Sequence, residues 1–152
     1  MTETLRSFSL MLRRALGDKL DPSAESFVDM FDPNGVMEFP YAYAGLPRRI
    51  EGQEALKNHL AMVVNLISVD RITEATVIES TDPEISVLEF EGFGTGVATG
   101  EPYEQRYVSI IRTRNGRIVH YKDYWNPLAA LRAARGAQVV AELTGEEASS
   151  HE

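Results

Sequence analysis

The chain has 152 residues, 43% of them hydrophobic, a length that suits one domain burying roughly 70% of the surface its unfolded form exposes. Fifteen basic against 23 acidic side chains give a net charge of −8, which repels phosphate backbones and anionic lipid surfaces and argues against a nucleic-acid partner. With no cysteine there are no disulfides, thiol nucleophiles or thiolate metal sites, a reducing cytoplasmic setting fits best, and no stretch approaches the roughly 20 apolar residues of a membrane span.

Leu5, Phe8, Leu12 and Leu16 recur at helical spacing and predict an amphipathic helix over residues 3–16, ended by Gly17. The apolar run Phe8 to Leu12 precedes Arg13 and Arg14, the wrong order for a secretory signal. Asp21 before Pro22 reads as an N-cap and first-turn proline, opening a second helix through Phe31 that stops at Asp32-Pro33-Asn34-Gly35. A short strand, Val36 to Phe39, runs into Pro40. The stretch from Tyr41 to Pro47, with Tyr43 and Gly45 inside it, reads either as a pocket lid or as an ordinary connection. Leu56, Leu60, Val63 and Ile67 mark one face of a third helix, from Gln53 to Ile67.

Residues 70–126 change period, being rich in Val, Ile, Thr, Tyr and Phe and punctuated at Asp82-Pro83, Thr99-Gly100-Glu101-Pro102 and Arg114-Asn115-Gly116. They predict four consecutive antiparallel strands, with Asn115-Gly116 as a hairpin turn. After Pro127, the residues Leu128, Leu131 and Ala134 start a short helix closed by Gly136. Residues 1–135 thus form one domain, and 136–152, with four Glu and no Lys or Arg, an acidic mobile tail. Helices first and strands after imply an α+β fold: a cone-shaped, curved antiparallel sheet wrapped over three N-terminal helices. A cone open at one end is a place where small ligands bind.

The strand Arg117 to Asn126 carries the chemistry. Side chains alternate along a strand, so Val119, Tyr121, Asp123 and Trp125 share one face while His120, Lys122, Tyr124 and Asn126 take the other. Asp123 is therefore either a pocket carboxylate among aromatics, desolvated into a general acid or base, or a rim acid paired with Lys or Arg. His59 falls within the apolar stripe of its helix, either as a structural core histidine or as the partner of such an acid in proton transfer. His120 faces away, toward solvent or a partner subunit. Glu89 and Glu91 share a face with Ile85, Val87 and Phe93, so they either line the cavity or meet solvent and neighbouring Arg and Lys. Tyr103, Gln105, Tyr107 and Ser109 alternate with Glu104, Arg106 and Val108, giving a polar, uncharged face that either orients a ligand or forms a partly wet sheet surface. No metal-ligand spacing, nucleophile elbow or phosphate loop is present, so no metal or cofactor is expected. The glycines of Gly92-Phe93-Gly94-Thr95-Gly96 are expected to bend the sheet.

This order of elements resembles the nuclear transport factor 2-like superfamily, in its SnoaL-like branch with ketosteroid isomerases, epoxide hydrolases and polyketide cyclases. The segments Ile50 to Leu56 with His59, Thr99 to Tyr107, and Asn115 to Pro127 resemble most closely the phenazine-biosynthesis A/B-type proteins. In that family a helix histidine and a carboxylate two residues before an aromatic-Asn-Pro sequence act as acid and base; by position these are His59 and Asp123, with Asp in place of the family's Glu. Phe39 stands where steroid isomerases carry their Asp base, and Glu89 and Glu91 replace two members of the epoxide hydrolase Asp-Arg-Asp set. The resemblance implies a homodimer and a cofactor-free enzyme of secondary metabolism, an isomerase, cyclase or condensing enzyme acting on a small cyclic or carbonyl-containing metabolite. Asp123 and His59 would be catalytic, with Phe39, Tyr41, Tyr43, Glu89, Gln105, Tyr107, Tyr121 and Trp125 around the substrate. Arg48 and Arg49 either meet a substrate carboxylate at the mouth or are solvated. The alternatives are a non-catalytic pocket for a hydrophobic ligand or a structural dimer with a filled core.

Overall fold

A computed structural model describes residues 3–145. The first helix, α1 (Glu3–Leu16), lies where its apolar stripe predicts and buries Leu12 and Leu16. The expected second helix does not form. Asp21 Oδ1 accepts from both the backbone N–H and the hydroxyl of Ser23, and Ser26 Oγ accepts from the Asp29 N–H, so side chains satisfy the backbone in turns instead. Only a single 3₁₀ turn, Val28–Met30, remains, and Leu20, Ala24, Phe27 and Met30 enter the core from an irregular segment.

Strand β1 (Phe31–Glu38) starts earlier than expected, running straight through Asp32-Pro33-Asn34-Gly35. Those residues form a bulge: the register against the last strand shifts between Phe31 and Val36, and the Asn34 N–H is held by Asp32 Oδ2. After a loop come β2 (Arg49–Glu51) and α2 (Gln53–Leu66), which buries Leu56 and Leu60. The meander follows as β3 (Ile67–Ile72), β4 (Thr76–Glu79), β5 (Ile85–Gly96), β6 (Pro102–Arg114) and β7 (Arg117–Trp125). The first of the four expected strands is thus split in two, and both pieces pair with the long β5. Asn115 and Gly116 take positive φ (54° and 79°), the left-handed pair a tight hairpin requires.

The sheet order is β2-β1-β7-β6-β5-β3, with β4 also on β5. It is antiparallel except where β1 enters beside β7 in parallel, a departure from the all-antiparallel expectation that arises because the N-terminal strand closes the sheet against its last strand. Glycines in β5 permit close approach: a Cβ on Gly94 would run into the Ser68 carbonyl of β3, and one on Gly96 into the Ala133 carbonyl.

Among the described residues, only two α-helices precede the meander. The remaining cover comes from α3 (Pro127–Arg135), capped by Asn126 Oδ1 on the Leu128 N–H, and α4 (Ala137–Thr144). Residues 137–144, expected within an acidic tail, are therefore helical and bury Ala141; residues 146–152 lie outside the described residues. No helix among the described residues is long and apolar enough to cross a membrane.

Candidate active site

The inner face of β6 and β7, with α1, α2, α3 and the 39–47 loop, encloses a cavity of about 130 Å³. That is similar to apolar protein cavities of roughly 150 Å³ that admit benzene. Its walls are mostly apolar, from Phe8, Phe27, Met37, Leu60, Val63 and Leu66. His59, Tyr43, Tyr103, Tyr107, Tyr121, Asp123 and Trp125 supply the polar atoms.

Asp123 reaches this cavity from β7, on the face predicted by alternation with Tyr121 and Trp125. Val119 does not share that face. The register of β6 and β7 shifts between Arg112 and Thr113, so that Arg112 pairs with His120 and Thr113 with Ile118; Val119 is the extra residue and Ile118 takes the core position. The Asp123 carboxyl has no hydrogen-bond partner among the described residues, and burial pushes its pKa from 3.8 up to about 7. Three tyrosine hydroxyls lie within its field: Tyr103, Tyr107 and Tyr121 each hold their proton more tightly, through burial first and with a contribution from the Asp123 charge. They are therefore neutral hydrogen-bond donors rather than bases.

His59 comes from α2 on the facing wall. Its ring lies against Phe39, tilted by 32° with centroids 4.6 Å apart, and burial lowers its pKa from 6.5 to about 4, so it is a neutral imidazole. Nδ1 is buried without a hydrogen-bond partner. An orphaned acceptor is the more tolerable state for such an atom, which puts the proton on Nε2. Burial alone accounts for both the His59 and the Asp123 values, so the two groups face one cavity from opposite walls without forming an ion pair.

Of the substrate-binding candidates, Phe39, Tyr43, Tyr107, Tyr121 and Trp125 line the cavity. Glu89 does not: it is exposed on the outer face of β5, where the inward residues are Leu88 and Phe90, and its neighbour Glu91 pairs with Arg106 at 3.4 Å. Tyr41 is 57% exposed and meets Tyr124 edge-on outside the sheet, because the loop turns between Tyr41 and Tyr43. Gln105 is buried but structural. Its amide nitrogen donates to the Asn126 carbonyl at 3.0 Å, and its Oε1 accepts from the N–H groups of Asn126 (2.7 Å) and Arg106 (3.0 Å). It clamps the end of β7 that carries Asp123. His120 is on the opposite face, as alternation predicts, and joins Glu38 at 2.6 Å. Arg49 pairs with Glu51 and Arg48 is exposed, which fits solvated arginines. Tyr103, 2.7 Å hydroxyl to hydroxyl from Tyr107, belongs with the site; its place in the β6 alternation marks it as inward, but nothing in the sequence signals the hydrogen bond.

A curved sheet closed by helices around one apolar cavity, with an unpaired carboxyl inside, is the NTF2-like, ketosteroid-isomerase-like architecture, and residues 17–121 match the SnoaL-like domain. The chain belongs to the SnoaL-like family. A PhzA/B-like protein of Pseudomonas aeruginosa, itself uncharacterised, is 38% identical over 79% of this chain and 84% of its own. A Bacillus subtilis protein provisionally named an isomerase has a crystal structure that superposes with a TM-score of 0.72 at 39% identity, covering 90% of this chain and 98% of its own. The phenazine biosynthesis-related protein phzb2 of P. aeruginosa shares the fold at a TM-score of 0.64 and 18% identity, over 84% and 83% of the two chains.

Proposed function

We propose that this protein is a cofactor-independent acid/base enzyme, acting as a cytoplasmic homodimer on a small cyclic or carbonyl-containing metabolite. The observation that carries this reading is Asp123: a carboxyl facing an apolar cavity, without a hydrogen-bond partner among the described residues and with a pKa of about 7. A group that titrates near the working pH is the most effective proton carrier. In the ionised form Asp123 removes a proton from a carbon next to a carbonyl. The C–H bonding pair becomes the new C=C bond, the C=O π pair moves to oxygen, and the proton rests on the carboxyl. Return of that proton to the same or another carbon yields exchange, isomerisation or the start of a condensation. Neutral His59, with its Nε2–H, polarises the carbonyl or relays the proton from the facing wall.

The test is proton exchange in D₂O. Wild type and Asp123→Asn are incubated with cyclic ketones, keto acids and aromatic carbonyl compounds of one ring, and deuterium incorporation next to the carbonyl is followed by NMR. Incorporation by wild type alone supports the reading. Equal rates in both proteins would remove Asp123 as the base. Ligands that raise the melting temperature without any exchange would favour a binding module.

A further inference from the structure

One pair of buried hydroxyls has a donor to spare. Ser109, on β6, and Tyr121, on β7, are 0% and 2% exposed, and Ser109 Oγ donates to the Tyr121 hydroxyl oxygen at 3.0 Å. The Tyr121 O–H proton then has no acceptor among the described residues, although its ring lines the cavity. The ring itself is fixed, stacked on Phe31 at 6.0 Å and leaning on Phe27 at 6.2 Å. Ser109 also stands directly opposite Asp123 in the β6–β7 register, where facing side chains lie about 5 Å apart at Cβ. Its hydroxyl is nevertheless committed to Tyr121, which leaves the carboxylate without that partner and the phenol aligned.

We propose that Tyr121 is a catalytic hydrogen-bond donor of this cavity: held by Ser109, it gives its O–H to the ligand oxygen that becomes anionic when Asp123 takes a proton. This rests on the acid/base reading above and names the group that stabilises the charge. Ser109 is the positioning residue. A buried, preoriented phenol is suited to the task because the donor is already in place when negative charge appears. With the oxygen held beside the Asp123 strand, His59 on the facing wall is left the part of proton relay.

The test uses 4-nitrophenolate as a one-ring oxyanion, read by its absorbance at pH 8 in the Asp123→Asn background, where no carboxylate opposes it. Tyr121→Phe added to that background should weaken binding at least about tenfold, the order expected for losing a hydrogen bond to a charged acceptor. Ser109→Ala should weaken it less. Equal affinity with and without the Tyr121 hydroxyl, or no binding of the phenolate in any variant, overturns the proposal. In otherwise wild-type protein, Tyr121→Phe also frees the Ser109 hydroxyl to turn to Asp123, which should shift the rising, low-pH limb of the exchange-rate profile to lower pH; Phe packing alone would not move it. Failure of the acid/base reading looks different: the phenolate still binds through Tyr121, while wild type and Asp123→Asn exchange ketone protons at the same rate.

Discussion

Replacing Asp123 with Asn should stabilise the protein, and only above mildly acidic pH. The carboxyl titrates at 3.8 when unhindered and at about 7 in the folded chain. At about 1.36 kcal/mol per pH unit, that separation amounts to roughly 4 kcal/mol. The folded state holds the proton more tightly than the unfolded state. Below pH 3.8 both states are protonated and Asp123 costs nothing; between 3.8 and 7 only the unfolded state ionises, so folding stability declines as pH rises; above 7 the full cost applies. Water entering the cavity screens the carboxylate, which makes roughly 4 kcal/mol a ceiling. Asn keeps the shape without the charge. At pH 8 the variant should therefore exceed wild type by up to roughly 4 kcal/mol, or on the order of 10 °C in melting temperature for a chain of this size, and the gap should close toward pH 4. Urea unfolding of both proteins at pH 4, 6 and 8 measures it. His59 contributes equally to both and cancels. A gap that is independent of pH, or a wild type that is the more stable protein at pH 8, would mean that burial does not raise the Asp123 pKa in the folded chain.

His59→Gln should show the opposite slope. His59 titrates at about 4 when folded against 6.5 when free, so wild type loses stability as pH falls through that window, and the variant should lose up to roughly 3 kcal/mol less between pH 7 and 4 in urea unfolding. Gln105→Leu strips three hydrogen bonds from the Asn126 and Arg106 backbone and should lower stability by about 2 kcal/mol, read as a lower urea midpoint at unchanged slope. Gly94→Ala drives a methyl into the Ser68 carbonyl and should cost about 2 kcal/mol or more by separating β3 from β5, visible as faster amide exchange at Thr73, whose N–H donates to the Glu91 carbonyl.

Periodicity alone places α1, α2, the hairpin at Asn115-Gly116 and the inward faces of β6 and of β7 from Tyr121 onward, because each rests on a local repeat or turn preference. It fails where tertiary contacts or side-chain bonding compete with the local pattern. Asp21, Ser23 and Ser26 look like helix-start residues, yet their side chains close turns. Asp32-Pro33-Asn34-Gly35 looks like a stop, but pairing with β7 carries the strand through it as a bulge. The same limit applies to the site. Alternation is enough to bring Asp123, Tyr121 and Trp125 to one face and the helical stripe brings His59 to the cavity. Glu89 misled because parity says only that it shares a face with Glu91, not which face is inside. Gln105 faces inward as expected, but its amide is consumed by the Asn126 backbone, a partner 21 residues away that no spacing rule indicates.

The most direct measurement is the titration of the Asp123 carboxyl itself, followed by ¹³C NMR in aspartate-labelled protein with Asp123→Asn identifying the resonance. A midpoint near pH 7, set by burial in the cavity, is expected. A midpoint near pH 4 would mean a solvated or paired carboxylate, and would contradict Asp123 as the proton carrier.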